Sequence, residues 1–339
     1  TSWEWIFFVN VPVGALVIAA AYFQIQQSKA DDAPALDVGG AITATGALVS
    51  LVFAITQTQQ HGWGSTIVWA FLALAAVLFA IFIVVERGHK DPLVPLDIFS
   101  TRSVASANTV GLLAFGAIFP FFFFLSLFMQ QVLGYDALKT GFAFLPFSVS
   151  IIVTATFASQ LVPKIGVKKS AMIGTFFAAL GMLLFGLFLD PTLAYFPGVL
   201  IPMIFLAMGM GMTFVPLTFL ATSKVEPSKA GLASGLFNTT QQVGGAFGLA
   251  ILATLATSHQ NGKATDLIQA GHVTAPPNLF QPGAHLTPQL QEIVGKSLVA
   301  GWQLAFLIGA ALIALAFVAS ALRIRDEDAD LSGDLMPMG

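Results

Sequence analysis

The chain has 339 residues, of which 56% are hydrophobic and only 9% are charged, and its formal net charge is −3. Soluble domains carry roughly 25% charged residues, so this composition excludes an ordinary soluble domain and indicates a membrane protein. The absence of cysteine excludes disulfides, thiolate metal ligands and thiol nucleophiles. No basic segment with interleaved aromatic residues indicates nucleic-acid binding.

Nine apolar stretches of the sequence are long enough to cross a bilayer as helices. Most are joined by short connections, so neighbouring helices are expected to be antiparallel. The chain begins at Thr1 rather than at a methionine, and we expect a fragment whose beginning is missing. These features predict an all-α polytopic membrane protein. The nine predicted spans are 5–26, 38–57, 66–85, 104–131, 140–161, 169–189, 196–221, 230–257 and 298–322.

The basic residues and the tryptophans predict the orientation in the membrane. If the first span starts outside, the inner loops hold eleven lysines and arginines, and the outer loops hold three. This asymmetry follows the positive-inside rule and places the C-terminus in the cytoplasm. All five tryptophans fall at outer span ends, as is typical of an interfacial aromatic belt. They are Trp3, Trp5, Trp63, Trp69 and Trp302.

The eighth predicted span differs from the others because one of its faces is polar. Between Ala230 and Thr254, amides and glycines fall within roughly a third of the helix circumference, and large apolar side chains occupy the other side. The spacings Gly231/Gly235 and Gly244/Gly248 are typical of close helix packing. The amides fit two roles equally well, namely hydrogen bonding between helices and lining a transport pathway. The polar face comprises Gly231, Ser234, Gly235, Asn238, Gln241, Gln242 and Gly245.

The segment from Ser258 to Ser297 is the longest predicted loop. Its histidines, His259, His272 and His285, are thirteen residues apart, which matches no zinc motif, so neither a metal nor another cofactor is predicted. Thr287 followed by a proline is typical of a helix start, and a short surface helix is expected there.

No carboxylate lies inside a predicted span, and no nucleotide-binding or hydrolase motif occurs. The sequence therefore indicates no enzyme, and it offers no proton carrier within the membrane. The remaining source of energy for any transport is an ion gradient or a partner protein that supplies the energy.

Five motifs follow one another along nearly the whole chain: WEWIFFVNVPVG at 3–14, HGWGS at 61–65, PLVPLDIF at 92–99, GYDALKTGFAFLP at 134–146 and GLASGLFNTTQQVGGAFGLA at 231–250. Together they resemble the fourteen-span drug:proton antiporters of the major facilitator superfamily. The resemblance implies the C-terminal half of a major facilitator fold. It assigns residues 1–27 to the last helix of the N-terminal half, 28–100 to two extra linker helices, 101–325 to the six-helix C-terminal half and 326–339 to a cytoplasmic tail.

The resemblance also implies a function, which is proton-coupled efflux of amphipathic small molecules or drugs across a bacterial cytoplasmic membrane by alternating access. The expected partners are the substrate, protons, the lipid bilayer and the missing N-terminal half, which would hold most of the proton-linked residues. Two alternatives remain open. The same fold suits a facilitator for a metabolite or lipid, and the bundle also suits a membrane scaffold or sensor that transports nothing.

The resemblance places the first and fifth helices of this half beside the central cavity. It implies that inward amides on these helices, with one or two phenylalanines, line the substrate path. A weakened copy of the family's gating loop is expected at KIGVKK, where Gly166, Lys168 and Lys169 lie without an acidic partner at the preceding helix end; anchoring by positive charge alone fits this loop as well. The cavity candidates are Asn108, Phe119, Gln130, Gln131, Asn238, Gln241 and Gln242, and the packing candidates are Gly231, Gly235, Gly244, Gly245 and Gly248.

Overall fold

The computed structural model describes residues 8, 10–24, 37–89, 92, 94, 96–226, 229–274, 276, 279, 280 and 286–328. Within these residues every regular element is helical. The chain divides into two compact units, residues 1–37 and 38–339. The start of the first predicted span, with Trp3 and Trp5, lies outside the described residues, as does the tail beyond 328.

The first unit contributes one described α-helix, and the second contributes nine. The helices are α1 (Asn10–Gln24), α2 (Val38–His61), α3 (Thr66–Gly88), α4 (Arg102–Leu127), α5 (Ala137–Ala143), α6 (Leu145–Ile165), α7 (Val167–Phe188), α8 (Leu200–Thr222), α9 (Ala230–Ala270) and α10 (Pro288–Arg323). Short 3₁₀ turns cover Leu96–Ser100 and Asp326–Asp328, and π-helical turns cover Phe128–Val132 and Tyr195–Val199.

Among the described residues, seven segments are long and apolar enough to cross a membrane. Seven of the nine predicted spans are therefore candidate membrane helices by length and composition, and the count of nine is not confirmed. Of the other two, the described part of the first is a shorter apolar helix, Asn10–Phe23. The eighth lies in α9, whose amides and glycines lower its mean hydropathy. The seven segments are Val38–Thr58, Thr66–Gly88, Arg102–Val132, Ala137–Ile165, Val167–Phe188, Tyr195–Thr222 and Pro288–Arg323.

The second unit is a helix bundle in which α4 packs against α9 and α10, and α7 packs against α8 and α10. The helix α6 packs against α8 on one side of this bundle. The hairpin of α2 and α3 joins the bundle through the contact of α2 with α9. The bundle therefore brings the first helix of the predicted C-terminal half, α4, directly against its fifth, α9.

The phenylalanine run of α4 divides between the core and the outer surface. Phe121 is fully buried, and its ring lies 5.6 Å from Phe185 of α7, which in turn lies 5.3 Å from Phe306 of α10. Phe122 and Phe123 are 37% and 44% exposed. Consecutive rings on a helix point in different directions, so the run provides core contacts on one side and exposed surface on the other.

Trp302 does not belong to an interfacial belt. It is 3% exposed, and its ring lies 6.2 Å from Phe128 in an edge-to-face contact within the bundle core. Trp63 and Trp69 are 58% and 61% exposed. All three tryptophans occupy similar positions at the ends of predicted spans, so the sequence does not distinguish Trp302 from the two exposed ones.

The prediction of a loop from Ser258 to Ser297 is wrong for much of this segment. The helix α9 continues to Ala270, and α10 already begins at Pro288. Their ends are held by a small apolar cluster that includes Ala264, Leu290 and Ile293. A hydropathy window misses this cluster because its apolar residues are interspersed with polar ones. The predicted helix start is confirmed, since the hydroxyl of Thr287 accepts a hydrogen bond from the Leu290 N–H at 3.4 Å.

Candidate functional site

The closest helix contact in the predicted site is between α4 and α9. A Cβ atom built on Gly248 would overlap the carbonyl oxygen of Gly116. A Cβ atom on Gly244 would lie 2.8 Å from the carbonyl oxygen of Leu112. Any larger side chain at either position would force the two backbones apart, which is the usual reason for small residues at membrane helix contacts.

The other glycines of the polar face fall into two groups. A Cβ atom on Gly245 would lie 2.6 Å from Cγ of Phe119, so this phenylalanine ring rests on the backbone of α9. The ring is 39% exposed and forms one edge of the α4/α9 seam. A Cβ atom on Gly231 or Gly235 would have no atom within 4 Å, so these two glycines border open space.

Asn108 connects α4 to α9 from a buried position. Its side chain is 5% exposed; its amide nitrogen donates to the carbonyl of Val104 at 2.8 Å, and its oxygen accepts from the hydroxyl of Thr240 at 2.6 Å. An unpaired amide in this setting would be costly. The pair with Thr240 therefore fixes the contact between the two helices at this level.

The amides of α9 lie close to this level of the bundle, but they are more open. Asn238 and Gln242 are exposed, and Gln241 is half-buried. Gln242 lines a cavity of about 480 Å³ between α9 and α2, where its neighbours include Val49 and Phe53. The surface of this cavity is almost entirely apolar, and Gln242 and Thr56 are the two polar residues that border it.

Gln130 and Gln131 lie away from the other amides. They belong to the π-helical turn Phe128–Val132 at the far end of α4, and both are exposed. Twenty-two residues separate Asn108 from Gln130, which corresponds to about 33 Å along a helix. The structure therefore places the predicted cavity amides at two different depths rather than around one point.

The predicted gating loop has an acidic contact that was not expected. Gly166 is buried and has a positive φ of 86°, and the carboxylate of Asp326 lies directly against it. The backbone N–H of Lys168, at the start of α7, donates to Oδ1 of Asp326 at 3.1 Å. The acidic partner thus comes from the C-terminal segment instead of the preceding helix end. Lys169 is exposed beside this contact.

The C-terminal end of α10 is fastened to the start of α4. The carbonyl of Arg323 accepts hydrogen bonds from Nε of Arg102 at 3.0 Å and from the hydroxyl of Ser106 at 3.2 Å. The guanidinium of Arg323 donates to the hydroxyl of Thr109 at 2.7 Å. Ile324 is fully buried immediately after these contacts. The last turn of α10 is therefore an integral part of the bundle end.

Sequence reasoning missed Thr240, Arg323 and Asp326. Thr240 has a local signal, because it lies within the polar segment that contains the α9 amides. Arg323 and Asp326 have none, since their partners lie more than 150 residues away in sequence. Among the described residues, no group of three or more histidine, aspartate or glutamate side chains could hold a metal ion.

Seven apolar segments of spanning length around a tightly packed helix core define a polytopic helical membrane protein. The sequence profile of the Major Facilitator Superfamily matches residues 1–249 of the chain. The chain belongs to the Major Facilitator Superfamily.

Several curated relatives are similar over most of this chain. The cephamycin export protein CmcT of Amycolatopsis lactamdurans is 37% identical over 270 residues, which are 78% of this chain and 55% of that protein. The puromycin resistance protein of Streptomyces alboniger is 34% identical and covers 81% of this chain and 54% of its own length. The tetracenomycin C resistance and export protein of Streptomyces glaucescens is 29% identical and covers 97% and 64%. The chain thus spans about half to two thirds of the length of these relatives.

Solved structures support the same fold. A bacterial homologue of the human lysosomal transporter Spinster, in an inward-facing and unoccupied conformation, superposes with a TM-score of 0.53. The alignment covers 84% of this chain and 70% of that one at 13% sequence identity. At this identity the likeness concerns the arrangement of the helices alone.

Proposed function

We propose that the protein to which this chain belongs exports amphipathic small molecules or drugs across the cytoplasmic membrane, driven by protons and operating by alternating access. The observation that carries this proposal is the similarity, over three quarters of the chain or more, to proteins named for the export of antibiotics or resistance to them. The helical fold shared with a transporter supports the same conclusion.

In this proposal nine helices of the chain cross the membrane, because α1 and the first part of α9 add two spans to the seven apolar segments. Residues 101–325 form the C-terminal half of the fold, and residues 28–100 form a linker hairpin. A second half of the fold faces the seam of α4 and α9, and the two halves rock about a central cavity. The C-terminus lies in the cytoplasm.

The amides of the seam give the cavity its polar groups. Asn238, Gln241 and Gln242 offer neutral hydrogen bonds to a passing substrate, and the exposed ring of Phe119 offers apolar contact. Gln130 lies near the opposite mouth of the same path. The acidic residues of the described second unit lie near helix ends or in connections, so the proton carrier belongs to the other half of the protein.

The decisive experiment measures efflux of a fluorescent amphipathic dye from cells that express the full-length protein, with and without a proton uncoupler. We expect Gln242→Leu to reduce the efflux rate severalfold while membrane insertion is unchanged, because the change removes one of the α9 amides proposed to contact the substrate. Gln160→Leu is the matched control, since Gln160 is an exposed amide on α6, outside the seam.

Three results would contradict the proposal in different ways. Efflux that persists after uncoupling would indicate a facilitator. A correctly inserted protein without efflux of any tested dye would favour a scaffold or sensor. Equal effects of Gln242→Leu and Gln160→Leu would show that the seam amides do not line the substrate path. The proposal of export itself would not be affected.

A further inference from the structure

A crevice of about 420 Å³ with both polar and apolar walls lies at one end of the α4/α9 seam, and its one charged lining side chain among the described residues is Arg323. Three threonines contribute hydroxyl groups to its wall, namely Thr109, Thr239 and Thr240. The contact with Thr109 engages one of the five guanidinium N–H donors of Arg323. Within the described residues, the crevice thus presents a cation with remaining donors and no lining carboxylate.

The position of the crevice along the helices matches the surface of the bilayer. Arg323 is the last residue of α10, and Thr109 lies in the second turn of α4, about 10 Å from the start of that helix. Headgroups and their phosphates occupy this level of a membrane, outside the hydrocarbon core. Arg323 is therefore expected at the headgroup level, whereas Thr239 and Thr240, nine and ten residues into α9, lie deeper.

A second, apolar cavity borders the crevice on the side of α2. Val243 lines both the crevice and this cavity of about 480 Å³ between α2 and α9. The second cavity is walled by apolar side chains such as Val52 and Phe247. Val49 on its rim is 63% exposed, so the groove is open on the apolar side of α2.

We propose that these two adjoining cavities bind one anionic phospholipid, with the phosphate on Arg323 and one acyl chain passing Val243 into the groove between α2 and α9. A guanidinium fork matches phosphate oxygens in two-point geometry, and basic pockets between membrane helices are suited to anionic headgroups. The positive crevice disfavours a cationic amphiphile. The long apolar groove favours an acyl chain over a small soluble anion. The lipid would hold the linker hairpin against the bundle, and because Asn108 and Gln242 border the same two cavities, it would compete there with a drug exported as proposed above.

The test uses the purified full chain in detergent and counts bound lipid by native mass spectrometry. The probes are phosphatidylglycerol, phosphatidylcholine with the same acyl chains, and inorganic phosphate. We expect the unaltered chain to retain phosphatidylglycerol about tenfold better than phosphatidylcholine, the range expected for one charge-assisted hydrogen-bonded contact. Arg323→Gln should abolish this preference, and Lys229→Gln, which removes an exposed charge outside the crevice, should preserve it.

Two further variants keep the test decisive if Arg323→Gln fails to fold. Arg323→Lys retains the charge without the planar fork and should leave a reduced preference. Val243→Trp fills the junction of the two cavities and should lower retention of both lipids. An unchanged preference in either Arg323 variant, equal losses in Lys229→Gln, or displacement of phosphatidylglycerol by millimolar inorganic phosphate would overturn the proposal.

Discussion

Gly166→Ala is expected to destabilise the chain through both the backbone and its neighbour. Gly166 has φ 86° and ψ 162°, a region that is essentially restricted to glycine and costs other residues of order 1–3 kcal/mol. The new Cβ would also overlap the carboxylate of Asp326 and displace it from the Lys168 N–H. Loss of such a charge-assisted bond at a partly exposed site adds about 1 kcal/mol. The total loss is therefore about 2–4 kcal/mol.

Thermal unfolding in detergent, followed by circular dichroism, measures this loss. A loss of 2–4 kcal/mol corresponds to a decrease in the unfolding temperature of about 5 °C for a chain of this size. Gly134→Ala is the matched control because Gly134 also has a positive φ, 67°, while its Cβ would meet no atom within 4 Å. The control should lose only the backbone part of the effect.

A double-mutant cycle separates the two causes. Asp326→Ala alone removes the bond to Lys168 and should lower stability by about 1 kcal/mol. In the Gly166→Ala background the same change relieves the overlap and should cost nothing or restore stability. Additive effects of the two changes, or an unfolding temperature of Gly166→Ala equal to that of the unaltered chain, would refute the assigned contact.

Two other predictions concern the α4/α9 seam. Gly248→Val should prevent the native contact of the helices and abolish cooperative unfolding, whereas Gly231→Val, in open space, should fold normally. Size-exclusion chromatography and thermal unfolding compare the two variants. Equal behaviour of the two would contradict the seam geometry. Asn108→Leu and Thr240→Val should each lower the unfolding free energy by about 1 kcal/mol, with a coupling of about 0.6–1.7 kcal/mol in the cycle. A coupling of zero would mean that the 2.6 Å bond does not contribute to stability.

The sequence predicted the helices where one local signal dominates. Continuous apolar runs identified seven segments, because a spanning helix must be apolar along its length. The same rule located the first part of α9 but missed its continuation to Ala270, which has only a weak apolar stripe. The amides and glycines of α9 also lower its hydropathy. Residues that serve a contact with another helix thus weaken the signal that reveals their own helix.

The site was predictable in part for the same reason. The spacing of small residues near Gly248 predicts a close helix contact, although the sequence did not identify α4 as the helix that makes it. The amide of Asn108 was recognisable as polar and inward, but its bond to Thr240 depends on the register of two helices far apart in sequence. The contacts of Asp326 and Arg323 depend on how the chain end folds back, for which periodicity provides no information.

The helix α9 extends far beyond its seam with α4. Its 41 residues extend about 60 Å, twice the thickness of the hydrocarbon layer. About 40 Å separate Val243 at the seam from Ala270 at the tip, so a tilt of about 10° at the seam would move the tip by about 7 Å. Because Ala264 packs against Leu290 and Ile293 of α10, the two helices would tilt together, and a spin label on Gln269 would register such a movement at a distance from the seam.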